Sequence, residues 1–150
     1  MARCPCRPFC CPIRRPILLK LIQSTVLVCA AFALPTLAVA NPIQDSYRAQ
    51  AKVDNPAFKD FSVAAGQKLY STKVGELSCA TCHTDSPMTA GKHAKTSKDI
   101  LPLSPSANPK RFTDTAQVEK WFKRNCNDVL SRACTAQEKG DFMAYVLSVK

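Results

Sequence analysis

The chain has 150 residues, 46% of them hydrophobic and 21% charged, with a formal net charge of +10. That length accommodates one domain with a modest core. There is no acidic tract or low-complexity run, and no basic stripe interleaved with aromatics, which sets nucleic-acid binding aside.

The first forty residues stand apart. Arg3, Arg7, Arg14, Arg15 and Lys20 occur there without a single acidic residue, an apolar run covers 26–34, and Ala38 and Ala40 follow Pro35 in a small-x-small pattern. This predicts a cleaved export signal over residues 1–40 and a periplasmic mature protein. The alternative is a retained anchor, since residues 21–40 are about long enough to span a bilayer. Gln23, Ser24, Thr25 and Pro35 argue against it. Cys4, Cys6, Cys10, Cys11 and Cys29 also fall here, with no function that the spacing supports. The remaining 110 residues hold 16 Lys plus Arg against 11 Asp plus Glu, a net of +5. A charge of that size suits steering toward an acidic protein partner.

Beyond residue 40 the expected elements are helices joined by long loops. Residues 43–52 are weakly helical. Residues 58–70 predict a stronger helix, with Phe58, Phe61, Ala65 and Leu69 at three- and four-residue steps. A turn containing Gly75 follows. Pro102, Pro105 and Pro109 make 101–112 an extended, ordered loop. Asp114 is a candidate N-cap with Gln117 three residues on, and Val118, Trp121, Phe122 and Cys126 form the expected inner face of that helix. The last helix begins at Thr135, where Thr135 and Glu138 have capping-box spacing. Its stripe is Phe142, Val146 and Val149, with Met143 and Leu147 alongside. No stretch alternates convincingly as a strand, so the expected class is all-α.

Cys79, Cys82 and His83 form a Cys-x-x-Cys-His motif. Two cysteines at this spacing present both sulfurs to one edge of a porphyrin, where each adds to a vinyl group. The adjoining histidine then points at the iron. The motif predicts one covalent heme c, with Cys79 and Cys82 as thioethers and His83 as proximal axial ligand. A zinc site of Cys79, Cys82, Cys126 and Cys134 is an alternative, but it leaves His83 unexplained. A thioredoxin-like redox pair would need a βαβ setting that is absent. On this reading residues 41–57 are an N-terminal extension or short helix, and 58–150 are the heme domain.

Four residues are candidates for the other face of the iron: Met88, His93, Asn125 and Met143. Met88 lies too near His83 to cross easily. His93 fits a solvated loop. Met143 ranks first on the physics of the sequence alone, although a methionine on an apolar helix is more often core. Asn125 alone reads as a helix C-cap.

Residues 91–150 resemble the sphaeroides heme protein family of c-type cytochromes. The resemblance is carried by residues 98–114 (KDILPLSPSANPKRFTD), 118–121 (VEKW), 124–127 (RNCN) and 134–139 (CTAQEK). It implies a small class I-like cytochrome c fold. It also implies His83 and Asn125 as the two iron ligands and a disulfide between Cys126 and Cys134. Members of that family bind oxygen or nitric oxide when the asparagine moves away. They are linked to diheme cytochrome c partners and membrane cytochromes b. An amide oxygen is a poor match for ferrous iron, which agrees with release on reduction. Thr84 and residues 86–88 depart from the family pattern and leave open a role for Met88 or His93. Arg111 is expected to be a surface charge and Trp121 a core aromatic, with propionate pairing and porphyrin packing as their alternatives. The functional expectation is electron transfer combined with small-ligand binding, rather than turnover. Its rivals are a plain carrier using Met143 and a redox enzyme using His93.

Overall fold

The structure is a computed structural model that describes residues 40–150. The export signal expected over residues 1–40 thus lies, Ala40 aside, outside the described residues. Among the described residues there are five helices: α1 (Pro42–Asp54), α2 (Val63–Ser71), α3 (Cys79–His83), α4 (Thr115–Leu130) and α5 (Ala136–Ser148). Between α3 and α4 two short strands, β1 (Gly91–Lys92) and β2 (Asp99–Ile100), pair antiparallel with Gly91 opposite Ile100. The described residues are all-α apart from this small hairpin. Among the described residues no helix is long and apolar enough to cross a membrane.

Local chemistry sets the helix starts. The Asn41 side chain accepts from the amides of Ile43 and Gln44, and Pro42 takes the first helical position, where its missing N–H costs nothing. Asp114 accepts from the Gln117 amide, and Thr135 and Glu138 close a reciprocal capping box. The second helix begins later than periodicity predicts. The Asp60 side chain accepts from its neighbour Phe61 N at 2.6 Å, and Ser62 caps Ala65 N at 3.1 Å. These side-chain-to-backbone bonds compete with helix over 58–62 and leave α2 starting at Val63. Phe58 and Phe61 instead pack together, with ring centroids 5.1 Å apart, over Ala51 and Ala136.

The helix α5 lies against both α1 and α2. One apolar cluster joins Ile43 and Tyr47 of α1, Val118, Phe122 and Cys126 of α4, and Met143 of α5. A second joins Tyr70 of α2, Leu103, and Tyr145 and Val146 of α5, with Cys79 and Ala80 of α3 packed against it. Thus α1 is part of the core through Ile43, Tyr47 and Ala51. Trp121 departs from its expected inward position and is 44% exposed. The buried side of α4 runs through Val118, Phe122 and Cys126 at four-residue steps, and Trp121 falls at its edge.

Glu119 ties three helices together. It accepts hydrogen bonds from the Tyr47 hydroxyl of α1 and from Lys139 Nζ of α5 at 2.8 Å, and Lys139 lies 5.0 Å from the Tyr47 ring centroid. Burial pushes the Glu119 carboxyl up, but the bonds from Lys139 and Tyr47 and the Lys139 charge outweigh it and hold it below its usual range. Glu119 is partly exposed, so the carboxylate contributes about 0.5–1 kcal/mol after solvent screening. A depressed carboxyl stabilises fully above its unfolded-state value and loses that effect as pH falls through the folded-state value. In Glu119→Gln the stability lost at pH 7 should shrink as the pH is lowered through that range, measured by denaturant unfolding. A loss that stays constant with pH would show that the charge contributes nothing.

Candidate functional site

The helix α3 presents Cys79, Cys82 and His83 on little more than one turn. It is started by Ser78, whose hydroxyl accepts from Thr81 N at 3.1 Å while the Thr81 hydroxyl accepts from Ser78 N at 2.9 Å. The helix ends at once, because Thr84 takes a φ of 63°. Tyr70, buried on α2, donates to the Thr84 carbonyl at 2.6 Å and to the His83 carbonyl at 3.1 Å, fixing the chain on both sides of that reversal. Opposite, β1 passes over the motif. An added Cβ on Gly91 would lie 1.9 Å from the Cys82 carbonyl oxygen, so only glycine fits. The Ala94 amide also donates to Cys82 Sγ at 3.3 Å. Tyr70, Ser78 and Gly91 are positioning residues that the sequence reading did not single out. The Ser78–Thr81 spacing was visible, but a threonine in place of Glu or Gln conceals the capping box.

The donor chemistry of the motif fits a covalent heme. Neither cysteine is taken up in a disulfide, and the two are half-buried and three residues apart on one helical face. Burial, helped by nearby Cys82, pushes the Cys79 thiol up to about 11. Burial, reinforced by the Arg111 charge, pushes the His83 imidazole down to about 4, which leaves it neutral as an iron ligand must be. The zinc alternative fails on its donors: Cys126 and Cys134 are bonded to each other, with Cα atoms 5.7 Å apart. Among the described residues no three His, Cys, Asp or Glu side chains converge on one point.

The other candidates lie on different elements. Asn125 is on α4 with its side chain exposed, and the adjoining Cys126 is buried in the first cluster. It is no C-cap, since α4 continues to Leu130 and is capped by Ser131 in the left-handed region. Met143 is 0% exposed and enclosed by Ile43, Tyr47, Val118, Phe122 and Cys126, so its side chain fills the core. His93 Nδ1 accepts from Lys95 N and Thr96 N, both at 3.3 Å, which makes it a turn-former of the hairpin. Met88 is half-buried, and its neighbour Pro87 is tied to the later loop, its carbonyl accepting from Leu103 N and Ser104 N, each at 2.9 Å. Trp121 carries the Lys120 and Arg124 cations 5.8 and 5.9 Å from its ring. Arg111, expected at the surface, is half-buried instead.

Residues 56–146 match the family described as a domain of unknown function, DUF1924. Cytochrome c'' of Methylophilus methylotrophus is 37% identical over 124 residues, covering 79% of this chain and 86% of that protein. The cytochrome c-type protein SHP of Cereibacter sphaeroides is 54% identical over 69 residues, covering 46% of this chain and 53% of that protein. The crystal structure of oxidized cytochrome c'' superimposes with a TM-score of 0.66 at 36% identity, over 72% of this chain and 92% of that one. That of oxidized SHP, an oxygen-binding cytochrome c, superimposes with a TM-score of 0.61 at 39% identity, over 69% and 91%. A motif built for two thioethers, set in this fold among these relatives, has one interpretation: the chain belongs to the DUF1924, SHP-like family of monoheme c-type cytochromes and carries one covalently bound heme c.

Proposed function

We propose that the protein is an exported, periplasmic electron-transfer cytochrome whose iron is held by His83 and Asn125, and that it binds oxygen or nitric oxide once Asn125 withdraws on reduction. The heme supplies a one-electron change and, on its distal side, a coordination position. Cys79 and Cys82 hold the group by its edge. Tyr70 and Thr84 fix the backbone that aims His83.

The observation that carries the reading is the placement of Asn125. Its side chain stands free of the core, while the next residue, Cys126, is buried and bonded to Cys134. The amide can therefore move without unpacking α4, yet only over a short range. Met143 is committed to packing, which weighs against a methionine-ligated carrier. His93 is committed to its own turn, which weighs against a distal acid or base and hence against turnover. The likeness to an oxygen-binding cytochrome c supports the ligand-binding half. Partners would be redox proteins, a diheme cytochrome c and a membrane cytochrome b, met by the positively charged surface of residues 41–150.

Absorption spectroscopy tests this. The ferric protein should lack the near-infrared sulfur-to-iron band of methionine ligation, and Asn125→Ala should alter the ferric spectrum while Asn127→Ala leaves it unchanged. The band present, together with an Asn125→Ala spectrum like that of the parent, would falsify the ligation and the gas-binding role with it.

A further inference from the structure

Arg111 is a half-buried cation without a countercharge. Its Nε donates to the Pro102 carbonyl at 2.8 Å and its Nη2 to the Leu101 carbonyl at 2.6 Å. These bonds fix the plane of the guanidinium but neutralise nothing. Among the described residues the ion pairs belong to Arg48, Arg132 and Lys139, and Arg111 has none. Burial alone shifts its proton affinity downward, with no carboxylate acting against it. An arginine does not respond by deprotonating. The charge stays, and covering it further beneath a prosthetic group is favourable only when it is paired.

Its location says what the pair is. Phe112, the next residue, packs with Leu103 against the cluster that also holds Cys79 and Ala80, so Arg111 lies on the heme-attachment side of the fold. Leu101, whose carbonyl it holds, is a large apolar side chain left 66% exposed, the kind of surface a porphyrin covers. A covalent heme brings two carboxylates to that side. With Nε and one Nη spent on carbonyls, the guanidinium still has N–H groups in a fixed plane, suited to a carboxylate.

We infer that Arg111 is the receptor for a heme propionate, held by the Leu101 and Pro102 carbonyls so that its remaining N–H groups meet that carboxylate. The assignment rests on the covalent heme and on the packing of Leu103 and Phe112 with Cys79 and Ala80, and it is independent of Asn125. It gives the loop over 101–112 a purpose beyond connection, as the scaffold for one cation beside the heme. It also sets a sign: a fixed positive charge near the iron disfavours the ferric state and raises the reduction potential.

The test compares Arg111→Lys and Arg111→Gln in the holoprotein at pH 7, with heme content measured first. Resonance Raman reads the propionate bending mode, which belongs to the heme and would not report an anion taken from solution. In Arg111→Gln that band should shift and the midpoint potential should fall. In Arg111→Lys the band should shift, because the fork of donors is lost, while the potential should stay near that of the parent, because the charge remains. If the glutamine variant does not fold, the band in the lysine variant decides. A propionate band at its parent position in every folded variant overturns the assignment, whatever happens to stability, and makes Arg111 a strut for its loop. Spectral signs of axial ligation unchanged in both variants keep this outcome separate from that of Asn125.

Discussion

Gly66→Ala should destabilise the holoprotein by about 2–3 kcal/mol, although alanine is the better helix former by ~1 kcal/mol. Gly66 sits within α2 where that helix meets α5. An added Cβ would lie 1.9 Å from the carbonyl oxygen of Asp141, 2.5 Å from its carbonyl carbon and 2.9 Å from Tyr145 Cβ. Two of these are backbone atoms and the third is fixed to it, so no rotamer change makes room. The helices must move apart. That would strain the bond from Ser62 N to the Asp141 carboxylate at 2.7 Å, which also spans the contact. It would loosen Tyr70 as well, whose ring packs on Tyr145 at 5.4 Å and whose hydroxyl holds the His83 carbonyl. The helix crossing and the heme motif are thus mechanically linked. Thermal unfolding followed by circular dichroism should show a midpoint lower by roughly ten degrees or more. A variant as stable as the parent would mean that α2 and α5 do not meet at Gly66.

What the sequence disclosed, and what it concealed, follows from how local each signal is. Cys79, Cys82 and His83 are legible because the chemistry of one macrocycle fixes three residue types at one spacing. The starts of α4 and α5 are legible because Asp114 and Thr135 act on amides three residues away. The start of α2 is misjudged because Asp60 and Ser62 override a good apolar period. The hairpin of β1 and β2 is invisible, since two residues a side are too few to show alternation. Trp121 is misplaced because an inner face chosen by residue type includes it, whereas the geometry runs through Val118, Phe122 and Cys126. Arg111 and Tyr70 depend on contacts with distant carbonyls, which no local pattern announces. Asn125 is one of four candidates in the sequence, and resemblance alone sets it ahead of the others. Physics by itself favoured Met143, and the structure shows why it should not have: that thioether is at the centre of the first cluster.

The bridge between Cys126 and Cys134 should control both stability and distal access, and the double variant Cys126→Ala, Cys134→Ala separates the two effects. The cysteines are 8 residues apart. On the chain-entropy account, opening so short a loop costs about 2–3 kcal/mol. Cys126 is also buried beside Met143 and Phe122, so the alanine leaves a small packing defect in addition. The effect on access follows from position. Asn125 is the residue before Cys126, and with the bridge intact the last turns of α4 are tethered to the start of α5. If Asn125 holds the ferric iron, an added anion such as azide must displace it, and its apparent affinity scales with the fraction of time the amide is away. Removing the tether lengthens that time, so azide should bind the ferric double variant several-fold more tightly. Asn125→Ala should raise azide affinity at least as far while leaving the bridge closed. The two readouts then diverge: denaturant unfolding falls further in the cysteine variant, and anion affinity rises in both. Azide affinity unchanged by either variant would place Asn125 away from the iron, and the bridge would then be a brace for α4 and nothing more.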